Sequence, residues 1–316
     1  MNIEYIAFDS LGVKSSCFLI ETGDYTITVD PGIASETGSF PLPREDKLLL
    51  RRIYEAKIRE ACSRSDIIIL THYHYDHHIP DKNMYRNKTL LIKDPERKIN
   101  NSQRVRASNL LDGLEANIEI ADGKTFKFGS AEIKFSKPTW HGVKGTNLGY
   151  VLMVEIRDRD RTILYTSDVD GPVLESVTES IIEAEPDILI LDGPPTYLLG
   201  FITAYYNLAR SIINICRIMR EAKPELIILD HHPVRDYRYP DLLHEVYRVS
   251  EDFGVDVLTV AELVGVEPKV LEGYRKYGPT RWKKWRPFRR DDMINVLRNA
   301  VENGLIEAKW LNLARS

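Results

Sequence analysis

The eight residues THYHYDHH at 71–78 carry four histidines and an aspartate, and they follow the apolar run DIIIL at 66–70 without a break. Such a continuous apolar run reads as a strand covered on both faces, which places it inside a layered α/β arrangement. The C-terminal end of that strand therefore delivers a cluster of metal-ligating side chains to the edge of a sheet. Histidine is sparse elsewhere: the chain has eight, and the other four are His141, His231, His232 and His244.

The surrounding pattern is built of short strands and helices. IEYIAF at 3–8, SCFLIE at 16–21 and YTITVD at 25–30 alternate as strands around turns containing Gly12 and Gly23. A helix is expected over 46–63 after the loop PLPRED, then the strand DIIIL, a strand at 89–92 and a charged helix over 96–111. NIEI, TFKF and AEIKFSK follow as strands, with Asp122-Gly123 as a turn signal, and then the pair GYVLMVEI and RTILYTS. Beyond Asp168 the pattern changes to alternation: a helix over 175–183, DILIL, a long helix from about 203, ELIILD, a helix over 241–251 and DVLTV. Two strand-rich halves that each finish in helices suggest a pseudo-repeat of sheet and helix layers.

Length and composition are those of a globular chain with room for a large core: 316 residues, 43% hydrophobic and 28% charged. A net charge of -4 gives no global attraction to nucleic acid or to an anionic membrane. The most apolar long stretch, 201–219, is interrupted by Asn207, Arg210, Asn214 and Arg217, and its apolar positions Tyr205, Leu208, Ile212, Ile215 and Met219 follow a helical period. No membrane association is expected. Cys17, Cys62 and Cys216 form no CxxC pair and read as buried thiols, and the first ten residues lack the pattern of a secretory signal. A cytoplasmic location is expected, and the oligomeric state is left open.

Metal coordination explains the histidines. His72 and His74 lie two apart, so in an extended segment their rings point to the same side. Asp76 and His77 fall where the chain is expected to turn into a helix, with Pro80 in its first turn, and so approach from a different direction. His141, Asp168 and His231 each come immediately after an expected strand, and ligands at several strand ends converge on one cleft in α/β sheets. His78 and His244 read as ordinary surface or hydrogen-bonded residues, and Asp30 as the brace of a turn.

The run HYHYDH, the later lone His141, Asp168 and the last His231 resemble the metallo-β-lactamase superfamily, whose pattern is HxHxDH followed by His, Asp and His. Asp30-Pro31-Gly32 resembles the family's early DPG turn, the agreement runs from residue 1 to about 265, and the match is closest to an archaeal branch. The resemblance implies an αββα sandwich of two mixed β-sheets flanked by helices, with a dinuclear metal site at its edge. It assigns His72, His74 and His141 to one metal, Asp76, His77 and His231 to the other, and Asp168 to a bridge between them. His231 is preferred over its neighbour His232, which is expected behind it, and Asp168 over Asp170. Two divalent ions are implied, zinc by default, with manganese or iron compatible with the same donors. The glycines with which many family members continue the motif are replaced here by HIPD at 78–81.

The chemistry implied is hydrolysis by a metal-bound hydroxide, with Asp76 orienting it and taking its proton. Lys137 and Lys144 flank His141, and Arg235 and Arg238 follow His231, which suggests a small anionic substrate or a nucleic acid. A phosphodiester is therefore placed ahead of a carboxylic ester, lactone or thioester. A binding or regulatory protein without turnover is the alternative from another class. Lys144, Tyr197, His232 and Arg235 are the candidate substrate contacts. The segment 266–316 differs in texture, with GPTRWKKWRPFRR at 278–290: either its aromatics pack on the main domain 1–265, which is the favoured reading, or they stack on single-stranded nucleic acid.

Overall fold

A computed structural model describes residues 1–315 of the chain. Its first sheet takes its strands in sequence order: β1 (Asn2–Phe8), β2 (Ser16–Glu21), β3 (Thr26–Val29), β4 (Ile67–Leu70), β5 (Thr89–Ile92) and β6 (Asn117–Ile120). The pairings β1–β2 and β2–β3 are antiparallel, and those from β3 to β6 are parallel.

The second sheet begins with β7 (Thr125–Phe128) and β8 (Ala131–Phe135). A separate short pair follows, β9 (Thr139–Trp140) with β10 (Tyr150–Val151). The sheet resumes with β11 (Val154–Asp158), β12 (Arg161–Tyr165), β13 (Ile188–Leu191), β14 (Leu226–Leu229) and β15 (Asp256–Leu258), in the order β15-β14-β13-β12-β11-β8-β7. It too passes from antiparallel to parallel, at β12. The pseudo-repeat is thus legible in the pairing pattern.

Strand periodicity builds the layers. Ile67 and Ile69 face the core between the sheets, where they meet Ile133, Phe135, Ile163 and Ile190. Ile68 and Leu70 face the other way, onto α1 (Arg44–Arg64) and α2 (Asn101–Leu111) through Ile58, Ala61, Ala107 and Leu110. In the second sheet Leu189 and Leu191 face outward onto α3 (Glu175–Ala184) and α4 (Tyr205–Glu221), while Ile188 and Ile190 face inward. Each fully buried Ile or Leu contributes roughly 1.5–3 kcal/mol, so β4 and β13, apolar on both sides, anchor three layers at once. The result is an αββα sandwich.

The remaining helices are α5 (Tyr239–Leu242), α6 (His244–Phe253), α7 (Val260–Leu263), α8 (Lys269–Tyr277), α9 (Arg290–Glu302) and α10 (Lys309–Leu313). Leu208, Ile212 and Ile215 of α4 share an apolar cluster with Val246 of α6 and with Met293 and Leu297 of α9. Trp282 and Trp285 pack on a separate cluster formed by Phe40, Tyr237 and Val270, and Tyr237 stacks on Tyr274 with centroids 4.6 Å apart. Among the described residues no helix is long and apolar enough to cross a membrane.

Several expectations need correction. No α-helix follows the histidine run: the chain makes one 3-10 turn, Lys82–Met84, capped by the Asp81 side chain. Bonding of the Ile79 N–H to the Pro31 carbonyl ties the segment to the DPG loop and leaves no length for a helix before β5. The second helix starts at Asn101 rather than at 96, because Asp94 accepts the N–H groups of Glu96 and Arg97 in a turn of its own. GYVLMVEI is broken between β10 and β11, where the Leu152 N–H donates to the Thr71 carbonyl. Cys216 is half-buried, whereas Cys17 and Cys62 are buried.

Candidate metal centre

Asp30, the histidine run, Asp168, Asp192, His231 and His232 all follow the C-terminal ends of parallel strands, the end at which α/β sheets collect their sites. As the chain leaves β4, Tyr73 points into the core and bonds the Lys93 carbonyl, while His72 and His74 take the other side, with ring centroids 4.7 Å apart. The chain then turns, the N–H groups of His77 and His78 both bonding to the His74 carbonyl. Gly32 allows the DPG loop to lie against this turn: a Cβ there would fall 2.1 Å from the His77 nitrogen.

The two oxygens of Asp168 face different histidines. Oδ2 lies 3.1 Å from His141 Nε2 and 3.7 Å from His72 Nε2, whereas Oδ1 lies 3.1 Å from His77 Nε2 and 3.6 Å from His231 Nε2. Donor atoms of His72, His74, His141 and Asp168 lie close enough together to hold one ion, and those of Asp76, His77 and His231 to hold another. His231 Nε2 is 3.8 Å from Asp76 Oδ2. All seven residues expected as ligands are therefore brought together.

The chemistry of this set fits divalent cations. His77 Nε2 and Asp168 Oδ1 are buried, and although 3.1 Å apart they lack hydrogen-bonding geometry, so each is left without a partner. Burial without a partner costs roughly 1–3 kcal/mol per polar group, and more for a charge. Protons otherwise collect where cations would stand. Burial works against the charge of His231, but Asp9 and Asp168 outweigh it and hold its pKa up at about 9; His77 is raised in the same way by Asp168 and Asp30. Burial, then the neighbouring His141, pushes His74 down to about 3, which keeps it a neutral ligand. Burial would raise the carboxyl of Asp76, yet His77, Arg235 and His231 hold it far below the usual range.

A second layer fixes the rings. Asp30 Oδ2 lies 2.8 Å from His77 Nδ1 and also accepts from Thr71 and Tyr165, so its brace reaches a ligand as well as a turn. Asp9 Oδ1 lies 2.7 Å from His231 Nδ1, and Asp9 Oδ2 accepts from Arg235 Nε at 2.5 Å. Asp192 holds His232 Nδ1 at 3.1 Å, and the Gln103 amide lies 3.3 Å from His74 Nε2 while donating to the Leu148 carbonyl. Supports of this kind are usual behind metal-binding histidines. Asp9, Asp192 and Gln103 escaped the sequence reading, since lone residues far from the histidines carry no spacing signal. His231 adopts φ +134°, a conformation costing roughly 1–3 kcal/mol in a non-glycine residue.

Over the ligands opens a cleft of about 260 Å³. Tyr197, His232 and Arg235 line it. His232 does not stand behind the ligands: its Nε2 is 3.8 Å from Asp168 Oδ2. Lys144 and Lys137 are exposed and lie outside the lining. Arg238 is buried instead, paired with Asp236 at 2.9 Å and stacked on Trp282. Its side chain is stabilised by that ion pair and ring, which leaves Arg235 as the one cleft-lining cation of the four expected. Arg235 Nη2 lies 3.0 and 3.3 Å from the two ring nitrogens of His231.

Residues 11–78 match the family model of the metallo-beta-lactamase superfamily. A UPF0282 protein of Methanopyrus kandleri is 41% identical over 293 residues, covering 87% of this chain and 98% of the relative. One of Sulfurisphaera tokodaii is 40% identical over 290 residues, covering 87% and 92%. Among solved structures, CmlA, a diiron beta-hydroxylase from Streptomyces venezuelae, superposes with a TM-score of 0.51 at 15% identity, over 82% of this chain and 52% of CmlA. That likeness concerns the fold.

Proposed function

The chain belongs to the UPF0282 proteins of the metallo-beta-lactamase superfamily, and on that membership and the geometry of its histidines we propose that it is a dinuclear metal-dependent hydrolase. The observation that carries the reading is Asp168, whose two oxygens are turned to two different histidine groups. His72, His74 and His141 would hold one ion, Asp76, His77 and His231 the other, with zinc the default and manganese or iron served by the same donors. Such a pair supplies an attacking water that ionises near neutral pH and an electrophile for the oxygen of the scissile bond.

The protein's own groups have distinct tasks. Asp76 faces the cleft, and its ionised carboxylate orients the attacking water as a hydrogen-bond acceptor. Arg235, held by Asp9, keeps the Asp76 carboxylate ionised and positions the Tyr197 hydroxyl at 3.3 Å. His232, its ring fixed by Asp192, presents Nε2 to a bound substrate. The test is hydrolysis of an aryl phosphodiester and an aryl ester by protein loaded separately with zinc and manganese. Turnover is expected to need metal and to fall by at least 10²-fold in Asp76→Ala, while that variant still melts cooperatively. Metal-replete protein inert toward both substrate types would favour the non-catalytic reading.

A further inference from the structure

Two loops face each other across the metal ligands, and both present apolar side chains to the opening. Residues 142–149 contribute Val143 and Leu148 to the cleft, exposed by 39% and 44%. Residues 194–203 contribute Pro194, Leu198 and Ile202, the last exposed by 69%, beside Phe201 at 78%. Exposed apolar residues grouped at the mouth of a site mark a binding surface far more often than scattered ones do.

Neither loop is loose. The carbonyl of Leu148 accepts from the side chains of Asn100 and Gln103, and that of Asn147 from Asn100. On the opposite wall the carbonyl of Thr196 accepts from Arg238 and that of Tyr197 from Arg281. The apolar slot is therefore preformed and held open from outside, the usual condition of a small-molecule pocket. Beyond the proposed metal ligands the lining offers a polyanion no unengaged cation: Arg235 is already held by Asp9 and Asp76, and Asp170 adds a carboxylate.

Resting on the hydrolase reading above, we infer that the substrate is an uncharged acyl compound, a carboxylic ester, lactone or thioester, whose aliphatic portion lies between Leu148 and Ile202. The acyl carbon then lies over the ligands, where water adds to it, the bond to the alkoxide or thiolate breaks, and the leaving group departs with a proton. The cleft is continuous with the metal ligands, and its volume equals that of about nine waters, enough for a medium-length chain.

The test is calorimetric titration of zinc-loaded protein with straight-chain carboxylates from acetate to octanoate, the acid products of such substrates. Affinity is expected to rise two- to fourfold per methylene, with a negative heat-capacity change. In Leu148→Ser/Ile202→Ser the gain is expected to drop below about 1.3-fold per methylene, whereas Leu49→Ser, exposed on α1 away from the cleft, keeps the wild-type slope. A flat wild-type series, a slope that survives the double substitution, or faster hydrolysis of an aryl phosphodiester than of any aryl alkanoate overturns the inference. A chain-length slope without turnover would instead count against the hydrolase reading alone.

Discussion

At the scale of single residues, the site is an arrangement of buried carboxylates that each hold an imidazole from behind. Asp30→Asn keeps the shape but exchanges an anion for an amide at His77, and it is expected to weaken binding of the second ion 10- to 100-fold in competition with a chelator. Glu36 makes a prediction of a different kind. Both of its carboxylate oxygens are buried without partners, and burial, then the charge of Asp9, raises its pKa to about 7. The folded state thus holds a proton that the unfolded state releases near pH 4.5, so stability from this group is full below that pH and lost as pH rises to 7. Glu36→Gln is expected to match the wild type at pH 4.5 and to exceed it by roughly 3 kcal/mol at pH 8, read from urea unfolding. The ligand candidates were legible because four of them fall in one short stretch and the rest follow apolar strands. Asp9 was not: its partners His231 and Arg235 lie at the other end of the sequence, and a single aspartate after a strand carries no periodic mark.

At the scale of elements, strands announced themselves better than the segments between them. Period-two and continuous apolar runs found β4, β13 and β14 because burial on both faces leaves no alternative composition. The helix expected after His77 failed because tertiary bonding to the DPG loop overrode a local signal. The aromatic and basic segment 278–290 divides cleanly: Trp282, Trp285 and Phe288 pack inward, while Lys283, Lys284 and Arg286 are exposed. Through Arg238, gripped between Asp236 and Trp282, this packing supports the cleft wall at Thr196. Arg238→Gln is expected to raise KM several-fold with a smaller loss of kcat, because the wall loosens while the ligands stay in place. Lys284→Ala, exposed on the same segment, should leave KM unaltered in the same assay.

At the scale of the whole molecule, two sheets of matching pairing order meet over one core, and the donors come from both: His72, His74, Asp76 and His77 after β4, Asp168 after β12, and His231 after β14. An ion bound across them stabilises only the folded state. Zinc at 100 times its dissociation constant adds about 2.7 kcal/mol, so the melting temperature should rise by several degrees and fall back when a chelator is added. The melting curve of Asp168→Ala should lose most of that response. A ribosome, however, delivers these donors one after another. The donors of the first half-site are complete once Asp168 has emerged, but the second waits for His231, which in turn leans on Asp9 from the very start of the sequence. Residues 9 and 231 must therefore meet before the proposed second ion could be held, and its capture would be a receipt that synthesis has passed β14 and that the two halves have closed on each other.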